Sequence, residues 1–462
     1  MKNFKRIRLL LVLVIIMFVG ISLYLVYFQL FEAPDLNKHS ANVRNYIDES
    51  SIARGSIYDR SGEILARSDE EGNRYNYYYY STAHLAGYAS KEHGKSGLER
   101  AYNAQLLGLS EADLMGAIKD VLGSNEKGNN LGLTISAELQ SYAYSLLENH
   151  KGSIVVMDPK TGAVLAMVSS PSFNVNEVDN NWLSLIERED GVLLNRSTQG
   201  LYTPGSIIKI LTSVALLESG QPLGYHDEGV EWINDSSVYN FEEEVYGDIS
   251  LEEALIYSSN TYFVNKAQRI GPELLKEVSE RFYFNKDYAF ELGHEQSYID
   301  YDRSMDVVDL AATSYGQGRT LVTPLHMAMV ISAISQDGRL MTPYLVEEIT
   351  SSSGAKLFQA RPKELSQATD TGTARKVKEM LVSAVEYNGY NYLSGYKIGG
   401  KTGTAENPSD LTHAWYVSFA EGASSDLALA IVLEEEGSTG GRAAAPLAQR
   451  IYEKAWELGI LD

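Results

Sequence analysis

The stretch "LYTPGSIIKI", Leu201–Ile210, sets a serine and, three residues on, a lysine at the head of an apolar run. Pro204-Gly205 reads as a turn, and the run after it as a helix. Two readings of Ser206 compete. As an N-cap, its hydroxyl accepts a bond from a free backbone N–H. That leaves Lys209 awkward, because the N-terminus of a helix is its positive end and disfavours a cation. As a nucleophile, Ser206 shares one helix face with Lys209 at i and i+3. The amine then reaches the hydroxyl and takes its proton, once burial and the helix dipole lower its pKa.

Two downstream stretches carry matching chemistry. In "YSSNTYF", Ser258 and Asn260 can both face a cleft from a loop, although Ser/Asn loops are usually plain turns. In "IGGKTGTAE", Ile398–Glu406, strand alternation puts Lys401 and Gly403 on one face and Thr402 and Thr404 on the other. Gly403 lets a substrate approach the backbone, and Lys401 with the threonine hydroxyls can hold a carboxylate. Gly395–Thr402 also matches G-x-x-x-x-G-K-[ST], but a phosphate loop follows a buried strand and opens a helix. Here the upstream "NGYNYLSG" is polar and aromatic, and the downstream "TAENPSDLT" has no helical period. Nucleotide binding is not expected.

The chain has 462 residues, enough for two or three domains. Its 44% hydrophobic and 22% charged content is globular. The 61 acidic residues outweigh 39 basic ones, for a net charge of -22, which repels phosphate backbones and argues against nucleic acid as a partner. There is no cysteine, so disulfides and thiol catalysis are excluded. None of the eight histidines forms an HExxH pair, so no zinc site is visible.

"LLLVLVIIMFVGISLYLVYFQLF", Leu9–Phe31, is uncharged and long enough to cross a bilayer as a helix. It is too long for a signal-peptide core and lacks a small-residue cleavage site. Lys2, Lys5, Arg6 and Arg8 precede it, and Glu32 and Asp35 follow, so the positive-inside rule puts the N-terminus in the cytoplasm. The expectation is a single-pass protein of the cell membrane with its bulk outside the cytoplasm, where no cofactor is expected. Beyond it, Asp35 to about Asn130 is polar and irregular, with the tract "YNYYYYST". "AELQSYAYSLLENH", Ala137–His150, has helical spacing, and "SIVVMDPKTGAVLAMVSS" reads as a β-hairpin about Asp158–Gly162. "HAWYVSFA" and "LALAIVLEE" read as strands, "PLHMAMVISAI" as a helix in a mainly helical middle, and about Ala444–Leu458 as a final helix. Early and late strands with helices between predict an α+β domain whose largely antiparallel sheet is covered by helices, with a helical subdomain.

SxxK, SxN and KTG in that order are the signature of serine penicillin-recognising enzymes. The chain resembles a class B penicillin-binding protein, a peptidoglycan D,D-transpeptidase, in a short form with a small pedestal. "RGSIYDRSGEILA" (Arg54–Ala66) resembles the family's pedestal motif, and "YGQGRTLVTPLHMA" (Tyr315–Ala328) its GQG-x-x-x-x-TPL segment. The resemblance implies a stub at 1–8, an anchor at 9–31, a pedestal or dimerisation-like domain at 32–130 and a transpeptidase domain at 131–462. It implies that Ser206 attacks the penultimate D-Ala carbonyl of a stem peptide ending in D-Ala-D-Ala, with Lys209 as general base. Ser258, helped by Lys401, passes the proton to the leaving amine, and Asn260 orients Lys209 and the substrate amide. Thr402 and Thr404 bind the terminal carboxylate beside Gly403, and the N–H groups of Ser206 and Thr404 form the oxyanion hole. β-Lactams acylate Ser206, and no metal or cofactor is needed. A polytopic glycosyltransferase of the shape, elongation, division and sporulation (SEDS) family is the implied partner. The alternatives are a D,D-carboxypeptidase, a serine β-lactamase, for which the class A E-x-x-L-N motif is missing, and a non-enzymatic β-lactam-sensing receptor.

Overall fold

The computed structural model describes residues 2–28, 53–108, 127–390, 393–408 and 410–462. The end of the expected anchor (29–31) and the expected pedestal residues 32–52 and 109–126 lie outside them. The chain divides into two units, Met1–Ile52 and Ala53–Asp462. The first contains the helix Lys2–Tyr27, on which Ile16, Phe18 and Leu23 are exposed. Among the described residues, no helix is long and apolar enough to cross a membrane. The transmembrane helix read over 9–31 is therefore not established by the fold.

The second unit is α+β. Its first part is built on β1 (Ile57–Tyr58), β2 (Ile64–Ser68) and β3 (Arg74–Asn76). Glu99, almost wholly buried, accepts from Arg54 Nε at 2.8 Å and Arg74 Nε at 2.6 Å. The Arg54 of the R-G-x-I-x-D-R motif thus neutralises a carboxylate that could not otherwise be buried. Asp59 Oδ1 accepts from Ser61 N and Glu63 N, closing the turn between β1 and β2. Its Oδ2 accepts from Ala137 N, at the positive end of the helix Ala137–Leu146. The pedestal motif is thereby tied to the first catalytic-domain helix.

The sheet here has six strands, in the order β13-β12-β4-β1-β2-β3. β4 is Asn130–Leu133, β12 Val346–Thr350 and β13 Lys356–Gln359. β4 pairs parallel with β1 and antiparallel with β12. The division read at residue 130 falls on β4, and strands from the second half of the chain complete the pedestal sheet.

The catalytic core is a five-stranded antiparallel sheet, β15-β16-β17-β5-β6. The hairpin β5 (Gly152–Met157) and β6 (Val164–Ser170) closes as the sequence suggests. Asp158 Oδ1 accepts from Lys160 N, and its Oδ2 from Thr161 Oγ1. β15 is Lys397–Ala405, β16 His413–Glu421 and β17 Asp426–Leu433. These strands are buried almost throughout because both faces are covered. Alternation survives as two apolar clusters. Val155, Met157, Trp415, Val417, Ala428 and Ala430 pack on one side with the helix Pro324–Ser335. Ile154, Val156, Tyr416, Leu429 and Ile431 pack on the other with the helices Ala137–Leu146 and Gly440–Glu457. The helix Pro324–Ser335 is buried at every residue, so its sequence shows no polar face.

The final helix starts four residues earlier than the apolar periodicity suggested. A Cβ at Gly440 would lie 2.1 Å from Trp415 O and 2.6 Å from Gly403 O. Only glycine lets the helix begin against the sheet, and glycine is what hides a helix start in a propensity reading. The stretch read as mainly helical also holds short strands: β7 (Tyr225–Asp227), β8 (Val230–Ile233), β9 (Ser236–Tyr239), β10 (Gly247–Ile249), β11 (Arg339–Met341) and β14 (Glu364–Gln367). They pair β7 with β10, β8 with β9 and β11 with β14 as isolated ribbons. Three or four residues carry too little alternation to read.

Candidate active site

Ser206 lies in a 3₁₀ turn, Gly205–Ile208, that leads into the helix Lys209–Glu218. A 3₁₀ turn has three residues per turn, so Ser206 and Lys209 are eclipsed on one face. Neither the turn nor the helix has a side-chain cap. Among the described residues no helix N–H donates to the Ser206 hydroxyl, and the helix proper begins at Lys209, so Ser206 does not act as a cap here. Gly205 N donates to Gly316 O at 2.9 Å, and Trp415 Nε1 donates to Thr203 O at 3.0 Å. These bonds fix the turn from both sides, one through the G-Q-G segment and the other through β16.

Ser258 and Asn260 come from the junction of two helices. The helix Leu251–Tyr257 ends on Ser258, whose φ of 58° and ψ of 37° are left-handed. The helix Asn260–Arg281 begins two residues on, capped by Ser259, whose hydroxyl accepts from Tyr262 N. A left-handed non-glycine residue costs about 1–2 kcal/mol. That strain turns the Ser258 side chain out of the helix and toward the lysines.

The three motifs meet at the amines. Lys209 Nζ donates to Ser258 O and to Asn260 Oδ1, both at 2.7 Å, and lies 3.3 Å from Ser258 Oγ. Lys401 Nζ donates to Ser258 Oγ at 2.9 Å and to Thr402 O at 3.1 Å. Ser258 Oγ therefore bridges the two lysines. Lys209 is fully buried and Lys401 nearly so. Burial pushes the Lys209 amine well below the usual lysine range, and the charge of Lys401 pushes it further. Burial alone brings Lys401 down to about 7. The two short bonds use both hydrogens of a neutral Lys209 amine and leave its lone pair for an incoming proton. Ser206 as a residue is half-buried.

β15 is the edge strand of its sheet, so alternate backbone groups on its outer side are free for a ligand. Its residues alternate as the sequence suggests. Lys401 faces the serines. Thr402 and Thr404 face the N-terminus of the helix Gly440–Glu457, where Gly440 N donates to Thr404 Oγ1 at 3.4 Å. The positive end of that helix favours an anion beside the threonines. Gly403 corrects its expected role. A Cβ there would lie 2.8 Å from Pro204 O and 3.1 Å from Ile207 Cγ2. It admits the nucleophile turn, not a substrate. The phosphate-loop match at Gly395–Thr402 falls largely on this strand and opens no helix. Among the described residues, no cluster of three or more histidine or acidic side chains could hold a metal ion.

Sequence reading missed the support behind the second motif. Asp227 Oδ2 accepts from Ser259 Oγ at 2.6 Å and Thr261 Oγ1 at 2.7 Å. Asp227 Oδ1 accepts from Gly229 N at 2.8 Å and Asn240 Nδ2 at 2.9 Å. Asn240 Oδ1 accepts from Asn260 N at 2.8 Å and Thr261 N at 3.2 Å. Asn260 Nδ2 donates to Tyr239 O at 2.9 Å. Burial pushes the Asp227 carboxyl up, but the bonds from Ser259, Asn240, Thr261 and Gly229 outweigh it and hold it below the usual range. No motif spacing announces Asp227, at the end of β7, or Asn240, just after β9.

Comparison with known proteins agrees with this geometry. Residues 152–453 match the penicillin binding protein transpeptidase domain, and residues 54–131 the penicillin binding protein A dimerisation domain. The chain belongs to the class B penicillin-binding proteins. It is 30% identical to the peptidoglycan D,D-transpeptidase PbpA of Mycolicibacterium smegmatis, over 93% of this chain and 94% of that one. It is 28% identical to the peptidoglycan D,D-transpeptidase MrdA of Acinetobacter baumannii, over 78% of this chain and 60% of that one. Among solved structures, it is similar to the ceftriaxone acyl-enzyme complex of penicillin-binding protein A from M. tuberculosis, with a TM-score of 0.83 and 28% identity. That likeness covers 88% of this chain and 99% of the other.

Proposed function

We propose that this chain is a serine D,D-transpeptidase that cross-links peptidoglycan stem peptides ending in D-Ala-D-Ala and is inhibited by β-lactams. The observation that carries the reading is Ser258 Oγ, set 3.3 Å from Lys209 Nζ and 2.9 Å from Lys401 Nζ. It joins all three motifs in one path for a proton. Ser206 Oγ attacks the penultimate D-Ala carbonyl and gives its proton to the neutral Lys209 amine. The new oxyanion is held by the N–H groups of Ser206 and Thr404, donors worth roughly 10²–10³ in rate each. As the amide C–N bond breaks, Ser258 passes a proton to the leaving D-Ala amine and is resupplied through the lysines. Thr402 and Thr404 hold the terminal carboxylate. An acceptor amine from a second stem peptide then attacks the ester, reversing the proton path, and Ser206 is released.

The apolar run at 9–31 supports a single-pass anchor with the catalytic unit outside the cytoplasm. A polytopic SEDS-family glycosyltransferase is the partner class this architecture suits. Fluorescent penicillin should label the wild-type protein once at Ser206, seen by intact mass, and should not label Ser206→Ala. Absence of an adduct on well-folded wild type refutes the reading. A stem-peptide donor with an acceptor amine should give a cross-linked dimer; release of D-Ala alone would make the enzyme a carboxypeptidase.

A further inference from the structure

We infer that Asp227 is a positioning residue for the acylation step, acting through Asn240 and Ser259 on Ser258, Asn260 and, through them, Lys209. Asp227 is fully buried, yet among the described residues no cation pairs with it. It is spent entirely on accepting from two hydroxyls, one amide and one backbone N–H. An acceptor-only group fixes the polarity of everything bonded to it. Because Ser259 must donate to Asp227, its remaining lone pairs accept from Tyr262 N and cap the helix Asn260–Arg281. Because Asn240 must turn its amide nitrogen to Asp227, its carbonyl oxygen faces the Asn260 and Thr261 N–H groups. That seats the first residue of the helix, so Asn260 Oδ1 meets Lys209 Nζ while its Nδ2 is held by Tyr239 O. Ser258, directly before the capping residue, is locked in its left-handed conformation by the same bonds.

A helix cap alone needs one acceptor at its mouth. Here one buried carboxylate sets the orientation of two further polar side chains, and both lead to atoms that touch Lys209. Asp227→Asn replaces one acceptor oxygen with a donor facing donors. Asn240 is then free to flip, and Asn260 with Ser258 loses its fixed register against the amine.

This inference rests on Ser206 being acylated, and the wild-type labelling experiment tests that separately. Stopped-flow acylation by a fluorescent penicillin separates the binding constant from the first-order acylation constant. Asp227→Asn should lower the acylation constant ten- to a hundredfold while the binding constant changes less than threefold. Thr261→Val, which removes one donor and keeps shape, should lower the acylation constant about threefold and keep the chain folded. Both rates are taken per folded molecule, with the folded fraction measured by circular dichroism. If Asp227→Asn proves unfolded, Thr261→Val alone decides. A folded variant acylated at the wild-type rate, or one losing binding and acylation in equal proportion, overturns the assignment. If wild type itself is not acylated, the functional reading fails instead.

Discussion

Asn260→Asp offers a sharp test of the base assigned to Lys209. Asn260 Oδ1 accepts from Lys209 Nζ at 2.7 Å. The substitution keeps the shape and replaces a neutral acceptor with a carboxylate. At that distance a unit charge pair is worth about 6 kcal/mol at an effective dielectric constant of 20. Asn260 is only partly buried, so solvent screening reduces this to about 3 kcal/mol. At 1.36 kcal/mol per unit, the Lys209 pKa should rise by about 2 units. The sign follows from the chemistry. Burial, then the charge of Lys401, holds the amine below its usual range, which favours the neutral, basic form. A carboxylate beside it restores the ammonium, and the neutral amine appears only at higher pH. Acylation by fluorescent penicillin, followed from pH 5 to 10, should show its acid limb displaced upward by about 2 pH units. The position of the limb is the readout. Its height also reports the lost bond to Tyr239 O. An unmoved limb, or one displaced downward, would show that Lys209 is not the base.

Lys401→Met should abolish acylation yet melt no lower than wild type at neutral pH. Lys401 falls to about 7 in the folded chain, against about 10.4 unfolded. Between those values the unfolded state binds more protons, so wild-type stability falls as pH drops from 10 toward 7. The methionine variant escapes that loss, and its relative melting temperature should climb over the same window; calorimetry at several pH values reads the difference. Glu99→Gln should destabilise the fold by about 3–5 kcal/mol, because it strands two largely buried guanidiniums, Arg54 and Arg74. Urea unfolding measures the change, and a midpoint within error of wild type would contradict the pedestal account.

The catalytic sheet was legible because its strands announce themselves. "SIVVM" and "LALAIVL" are continuous apolar runs, and both proved buried on two faces. The lysines and serines were legible because the reaction demands those types at those spacings. What stayed hidden had no local signal. Asp227 ends β7 and Asn240 directly follows β9, short strands whose pairing is decided by tertiary contacts. Gly403 carries the opposite lesson: its identity was noticed, but only the approach of Pro204 O explains it. The start of the helix after Ser206 was also hidden, because a 3₁₀ turn over Gly205–Ile208 precedes the helix proper at Lys209.

The sheet shared between β1–β3, β4, β12 and β13 has a mechanical consequence. β4 is bonded on one edge to β1 and on the other to β12. A displacement of the pedestal is therefore borne as shear along backbone ladders, not as bending at a linker. The load enters the catalytic half at Val346–Thr350, which follows closely on the buried helix Pro324–Ser335 beneath the active-site sheet. The pedestal sheet is thus joined by backbone bonds to β12, and the chain before β12 leads back to the helix packed on the sheet that bears Lys401.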